Sequence, residues 1–142
     1  MSSHATVRAT SYVLAVPDAR RTARWWVQRM GFRHMQEVER WAFVERGPLV
    51  IRLAECPDAP SPETLGDHRY FAYVELDNVD DHHHEIVARG AKPHSAILYP
   101  PTSREWGVRE MAVQTPDGHR AMFAHRMSDL RWHRVAGRPA AQ

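Results

Sequence analysis

Residues 106–118 read WGVREMAVQTPDG, an alternation of apolar and polar residues that ends in a turn sequence. Val108 to Gln114 has the composition of a strand. The segment Thr115-Pro116-Asp117-Gly118 is typical of a turn, because proline presets φ and glycine tolerates a positive φ. Residues 119–125 again have strand character. This part of the chain therefore predicts two consecutive strands joined by a turn.

The residues before this pair of strands complete a larger unit. Tyr70 to Leu76 alternates as a strand does, Asn78 can cap a helix that runs to Arg89, and Gly90 ends that helix. Another strand is predicted at about 92–98, followed by an irregular stretch over 99–107. The order of elements is βαβββ.

The first half of the chain shows the same order. Val7 to Val16 alternates as a strand, Asp18 can cap a helix from Ala19, and Gly31 ends it. Three short strands are then predicted at about 32–38, 41–45 and 49–54. Asp18 and Asn78 are 60 positions apart, so the two units indicate a duplicated module.

The predicted fold class is α+β, with two βαβββ modules whose curved mixed sheets surround a cup. We expect one face of each sheet to pack on its helix and the other face to line the cup. The predicted boundaries are 7–56 for the first module, 57–69 for a proline-rich linker, 70–126 for the second module and 127–142 for a short or frayed tail.

The composition is that of one globular domain. The chain has 142 residues, of which 43% are hydrophobic and 25% charged. No apolar run approaches the ~18 residues that span a bilayer, so we expect no membrane insertion. The start lacks a signal-like segment and Cys56 is the single cysteine, which together predict a cytoplasmic protein. The net charge is +2 and the arginines do not cluster, which argues against nucleic-acid binding.

The duplicated module, the Val16-Pro17-Asp18 entry to the first helix and the 106–118 segment resemble the vicinal oxygen chelate superfamily. The most similar branch is that of the bleomycin-resistance proteins. The resemblance covers about residues 7–126. It implies a homodimer with two ligand clefts at the subunit interface.

In metal-using members of the superfamily, such as glyoxalase I and the extradiol dioxygenases, strand residues facing the cup are His, Gln or Glu. The corresponding positions here, with the final-strand ones counted from the glycines of the turns, are Ser11, Ile51, Phe71 and Met122. None is an imidazole or carboxylate, which a divalent ion needs as ligands. We therefore expect no metal and no cofactor.

We expect structural roles for the histidines, which are the other residues that could bind a metal ion. Three consecutive helical residues point about 100° apart, so His82, His83 and His84 cannot share one ion. We expect His83 to be packed, with His82 and His84 in solvent. His119 and His125 share the strand parity of Phe123, and this face should pack on the helix.

The sequence contains no nucleophile elbow, phosphate-binding loop or dinucleotide fingerprint. Arg109 and Glu110 are adjacent, and we expect them to form an ion pair that fixes the entry to the strand. Glu75 shares the parity of the cup and is one candidate general base. The case for an enzyme is therefore open, and the residues favour binding over catalysis.

The residues predicted to line the cup are apolar or aromatic, with one hydroxyl. They are Ser11, Val13, Trp41, Phe43, Ile51, Leu53, Phe71, Tyr73, Trp106 and Met122. Rings that line a groove bind planar ligands by stacking and by burial of apolar area.

The resulting hypothesis is a metal-free protein that sequesters a small aromatic or amphipathic compound, an antibiotic being one candidate. The ligand is expected to be neutral or anionic, because the chain has more basic than acidic residues. One alternative is a lyase, isomerase or dioxygenase-like enzyme of the same superfamily, metal-dependent or metal-free. Another is a scaffold whose cup is filled by its own side chains.

Overall fold

The computed structural model describes residues 3–127 and contains two modules with the same order of elements. The first comprises β1 (Tyr12–Val16), α1 (Ala19–Met30), β2 (Arg33–Val38), β3 (Trp41–Arg46) and β4 (Leu49–Glu55). The second comprises β5 (Tyr70–Glu75), α2 (Val79–Ala88), β6 (Ile97–Ser103), β7 (Val108–Gln114) and β8 (Arg120–Arg126). The predicted α+β fold with two βαβββ modules is confirmed. Apart from Met127, the predicted tail lies outside the described residues.

Each module forms a four-stranded mixed sheet. The strand orders are β1-β4-β3-β2 and β5-β8-β7-β6. The first strand of each module pairs in parallel with the last, and the other neighbours are antiparallel. The parallel pair is possible because a helix intervenes and returns the chain to the same end of the sheet. Both sheets are open.

The helices begin at the residues that the sequence indicates. Asp18 accepts a hydrogen bond from the Arg21 amide at 3.1 Å, and Asn78 accepts one from the Asp81 amide at 3.0 Å. Gly31 ends α1 in the left-handed region, with φ of 73°. Neither helix of the described part of the chain is long and apolar enough to cross a membrane.

The two modules pack against each other through α1 and the start of β5. The buried Trp26 ring contacts the edge of Phe71, with ring centroids 6.1 Å apart. Arg46 donates to both Glu85 oxygens at 2.9 and 2.7 Å, which ties β3 to α2. These contacts lie on the helix side of the sheets and leave the other face of each sheet open.

Three segments differ from the prediction. Residues 7–11 belong to no strand, since β1 begins at Tyr12, and the linker contains a 3-10 helix, Pro62–His68. The second strand of the second module, β6, begins at Ile97 instead of residue 92. Pro93 and the positive φ of His94, 65°, delay its start, because neither residue suits a regular ladder.

The histidine prediction for α2 is wrong. His82 is the buried residue, at 4% exposure, and packs on the Phe123 ring at 4.6 Å between centroids. The contact face of this helix follows positions 79, 82 and 86, the i, i+3, i+7 pattern, which His83 misses. His125 lies on the helix side as predicted, since its Nδ1 accepts a hydrogen bond from the Val79 amide at 2.8 Å.

Candidate ligand-binding faces

The open face of the first sheet presents two aromatic rings. Along β3, Ala42 and Val44 are buried against α1, so Trp41 and Phe43 point to the opposite side. Trp41 is 38% exposed. A depression of about 430 Å³ lies over this face. It is lined by Met35, Gln36, Val38, Trp41, Phe43, Val50 and Arg52.

The rings and one cation form a preassembled group on this face. The Trp41 and Phe43 rings lie 6.2 Å apart, inclined by 30°, in a stacked arrangement. The Arg52 guanidinium lies 5.3 Å from the centre of the Phe43 ring and donates from Nε to the Ser11 hydroxyl at 3.1 Å. This hydrogen bond fixes the direction of the guanidinium, which makes Arg52 a positioned donor for an acceptor on a bound ligand.

Val13 also lies on this face, at 59% exposure, because Leu14 and Val16, which have the opposite strand parity, are buried. Trp41, Phe43, Val13 and Ser11 therefore occupy the side of the sheet that the sequence indicates. Val13 on β1 and the two rings on β3 are separated by β4, which pairs with both strands, and Ser11 directly precedes β1.

The prediction that Ile51 and Leu53 face the cup is wrong. They are 1% and 0% exposed and belong to the core beneath α1. The count from the glycine of the turn fails because the turns differ: Arg46 pairs with Leu49 across two residues, whereas Gln114 pairs with Arg120 across five. A change of one position transfers every side chain of a strand to the other face.

The open face of the second sheet presents Tyr73 and Met122. These residues are paired between β5 and β8, and Tyr73 is 48% exposed. A depression of about 300 Å³ covers them. It is lined by Tyr70, Phe71, Ala72, Tyr73 and Met122.

Phe71 lies between the core and the second open face, and Trp106 lies outside both depressions. A bulge between Tyr70 and Ala72 turns Phe71 towards the core, where it contacts Tyr12 edge-on at 5.5 Å while still bordering the second depression. Trp106 is 46% exposed in the turn before β7 and lines neither depression. The structure therefore does not place Trp106 with the other rings.

The prediction that Arg109 and Glu110 pair with each other is wrong. Adjacent strand residues point to opposite faces, so the two side chains separate. Arg109 reaches Asp80 on α2 with two hydrogen bonds of 2.8 and 2.9 Å. Glu110 is 5% exposed and accepts from Nε of Arg104 at 2.8 Å.

The polar groups of the second face are held in ion pairs. Glu75, the candidate base, accepts from Nε of Arg126 at 2.5 Å. Burial raises the pKa of Tyr73, and the nearby Glu110 and Glu75 carboxylates raise it further. Tyr73 therefore stays a protonated phenol near neutral pH, able to donate a hydrogen bond but not to act as a phenolate base.

The side chains on these faces do not provide the ligands that a divalent metal ion needs in metal-using members of the superfamily. Across residues 3–127, no three His, Cys, Asp or Glu side chains lie close enough together to hold an ion. The central residues of the faces, Val13, Arg52, Tyr73 and Met122, provide neither imidazole nor carboxylate.

The chain belongs to the Glyoxalase/Bleomycin resistance protein/Dioxygenase superfamily, whose family model matches residues 8–123. No curated protein matches it. The superfamily that the sequence resembles is therefore the one whose family model matches, and the two βαβββ sheets have the arrangement expected from that resemblance.

Solved structures share this fold at low sequence identity. TioX from Micromonospora sp. ML1 is 24% identical over 83% of this chain and 95% of its own, with a TM-score of 0.63. The bleomycin resistance determinant encoded on transposon Tn5 is 20% identical over 84% and 98%, with a TM-score of 0.70. The bleomycin-binding protein from Streptomyces verticillus, solved with copper(II)-bleomycin, is 22% identical over 84% and 97%, with a TM-score of 0.68.

Sequence reasoning missed several residues of the two faces. Arg52 is the most important, because it is the single charged residue that lines the first depression. Its strand parity with Val50 is the signal that would have identified it. Val38 and Tyr70 also border depressions, and neither stands out by residue type.

Proposed function

We propose that the protein binds a small, planar, neutral or anionic aromatic compound on its open sheet faces and sequesters it without changing it chemically. The observation that carries the proposal is the stacked Trp41 and Phe43 pair with Arg52 held against it. This group is exposed to solvent in a fold that buries the other face of the same strand. Antibiotic-like compounds are one such ligand class, since two similar structures are a bleomycin resistance determinant and a bleomycin-binding protein.

The rings supply most of the proposed affinity. Large aromatic side chains on a rigid sheet lose little conformational freedom on binding, and each offset stack adds about 0.5–1.5 kcal/mol beyond the area it buries. Met35 and Val38 extend the apolar surface beyond the rings. A flat aromatic ligand therefore fits this face better than a flexible polar one does.

The charge on the face selects among aromatic ligands. Among the described residues that line the first depression, Arg52 alone is ionisable, so none of them places a carboxylate beside it. A cationic ligand meets an unfavourable charge, whereas an anionic or hydrogen-bond-accepting one can take a donor from the guanidinium. This argument favours ligands unlike the cationic drugs of the bleomycin type.

We propose that two copies of the chain complete each binding cleft. The depressions on the two open faces are each lined by residues of a single sheet, so one chain leaves both faces uncovered. Val13, Trp41 and Tyr73 are each more than a third exposed. A homodimer that faces the first sheet of one copy with the second sheet of its partner buries these side chains together with the ligand.

The enzyme alternative finds less support in the residues on these faces. Glu75 is ion-paired with Arg126, and the raised pKa of Tyr73 opposes its use as a base. No step of the proposed function passes through a metal ion. The cytoplasmic location remains a prediction.

The test is a titration with three ligands that share one ring system: 2-naphthamide, 2-naphthoate and 2-naphthylmethylammonium, followed by quenching of tryptophan fluorescence. The proposal predicts that the amide and the carboxylate bind and that the ammonium binds at least about tenfold more weakly. Trp41→Ala should weaken the binding of the amide and the carboxylate about tenfold, because it removes one stacking contact and the area buried by it.

Trp106→Ala is the matched control, since it removes another exposed indole, at 46% against 38% for Trp41, that lines neither depression. Unchanged affinity in Trp41→Ala, or tightest binding of the ammonium, contradicts the proposal. A chemically altered naphthyl compound recovered after incubation contradicts the absence of catalysis.

A further inference from the structure

A further cavity, distinct from the two depressions on the open faces, lies between the linker and the edges of β1 and β5. Its volume is about 460 Å³. Twelve residues line it, six of them apolar in character: Ala15, Ala59, Pro60, Pro62, Leu65 and Phe71. This volume lies within the range of roughly 300–1,000 Å³ that holds small-molecule ligands in proteins.

The polar groups of this cavity are cationic or neutral. His68, Arg69 and His119 line it together with hydroxyl groups, and none of its lining residues is an aspartate or glutamate. Burial lowers the pKa of His119, so its imidazole is neutral at pH 7 and can donate one hydrogen bond. The fixed positive charge of the cavity therefore comes from Arg69.

Arg69 has hydrogen-bonding capacity that the fold does not use. Its Nε is buried and has no hydrogen-bond partner. Within residues 3–127, no carboxylate forms a salt bridge with its guanidinium, unlike Arg104, Arg109 and Arg120. Arg69 lines the cavity without a paired carboxylate, so a ligand there can supply the acceptor for its guanidinium.

The geometry points to a separate binding site for a small planar organic anion, an aromatic carboxylate, whose carboxylate accepts from Arg69 and whose ring lies against Phe71 and the linker prolines. His119, which meets the Phe71 ring edge-on at 6.2 Å between centroids, forms the inner wall of the site. The site shares Phe71 and Tyr70 with the second open face, so a ligand there lies next to the proposed cleft without occupying the first face. It thus offers a place for an anionic effector or second ligand.

The experiment is a titration of the full chain with 2-naphthoate, with 2-naphthamide as the neutral match, followed by amide chemical shifts in NMR spectra. The site predicts saturable shifts at residues 59–71 and at His119 for the carboxylate. Arg69→Met should weaken this binding about tenfold or more, because it removes a charge-assisted hydrogen bond and keeps an unbranched apolar stem.

Two further variants keep the test decisive. Leu65→Asp adds a negative charge at a residue that lines the cavity and is 57% exposed, and should also weaken the binding of 2-naphthoate. Arg24→Gln, on the solvent side of α1, is the control and should leave the affinity unchanged.

The results also separate this site from the first face. Shifts confined to residues 41–52, and lost in Trp41→Ala but not in Arg69→Met, overturn the second site and leave the proposed function standing. Equal affinity for 2-naphthamide overturns its assignment to an anion. The absence of chemical-shift changes at residues 59–71 at millimolar 2-naphthoate overturns the proposed anion site as well.

Discussion

Replacement of His82 by leucine should make the protein more resistant to acid. His82 is 4% exposed on α2, and both of its ring nitrogens lack a hydrogen-bond partner. Burial, with a smaller contribution from the positive charge of Arg46, lowers its pKa from 6.5 to about 4. A protonated His82 is therefore unfavourable in the folded protein and ordinary in the unfolded chain.

The magnitude follows from proton linkage. Because the unfolded chain binds the proton first, the free energy of unfolding falls as the pH drops below 6.5, and this loss is complete below about pH 4. Between pH 7 and pH 5 the contribution of His82 amounts to about 2 kcal/mol. His82→Leu removes that contribution and the two unpaired nitrogens, and keeps an apolar contact with Phe123.

The assay is urea unfolding of both proteins at pH 7 and pH 5. The loss of unfolding free energy between these pH values should be about 2 kcal/mol smaller in His82→Leu than in the wild type. His84→Leu, an exposed neighbour on the same helix, is the control for helix propensity and should keep the wild-type loss. Equal losses in wild type and His82→Leu refute the reasoning.

Two further predictions concern the contacts between the modules. Thr22→Val removes the 2.5 Å hydrogen bond to Asp117 from a residue that is 3% exposed, and should lower the free energy of unfolding by roughly 1–2 kcal/mol in urea titrations; no change contradicts it. Arg46→Met should raise the pKa of Glu85 from about 2 towards its usual value near 4.5, as measured by NMR titration of the carboxyl carbon, because the Arg46 hydrogen bonds are the largest cause of the lowering. The Arg46 pair stabilises the fold above about pH 4.5 and loses this effect as the pH falls towards 2, so the variant should differ most from wild type near neutral pH; an unchanged Glu85 pKa is the contrary result.

Local signals were sufficient to predict the fold. Asp18, Gly31 and Asn78 mark the helix ends by their own chemistry, and their repetition at a spacing of 60 predicts the duplicated module. The cap and stop signals depend on residues within one turn of each other, and the repeat is visible as a constant spacing between such signals. That is why a single sequence contains the information.

Which side chains lie on the open faces depends on turn lengths, bulges and contacts between distant residues. Ile51 and Arg52 exchange faces with the length of one hairpin turn, and Phe71 leaves its strand parity at a bulge. The partner of Arg109 is likewise set by the packing of α2 on the second sheet, which brings Asp80 to it across 29 residues. Residue type and alternation alone cannot decide these cases.

A crystal structure of the protein with the tightest-binding naphthyl ligand tests the central claim most directly. The account predicts the ring of the ligand against Trp41 and Phe43, with a ligand acceptor atom within hydrogen-bond distance of the Arg52 guanidinium. A ligand seated elsewhere while this face stays solvated, or a metal ion held there by protein side chains, contradicts it.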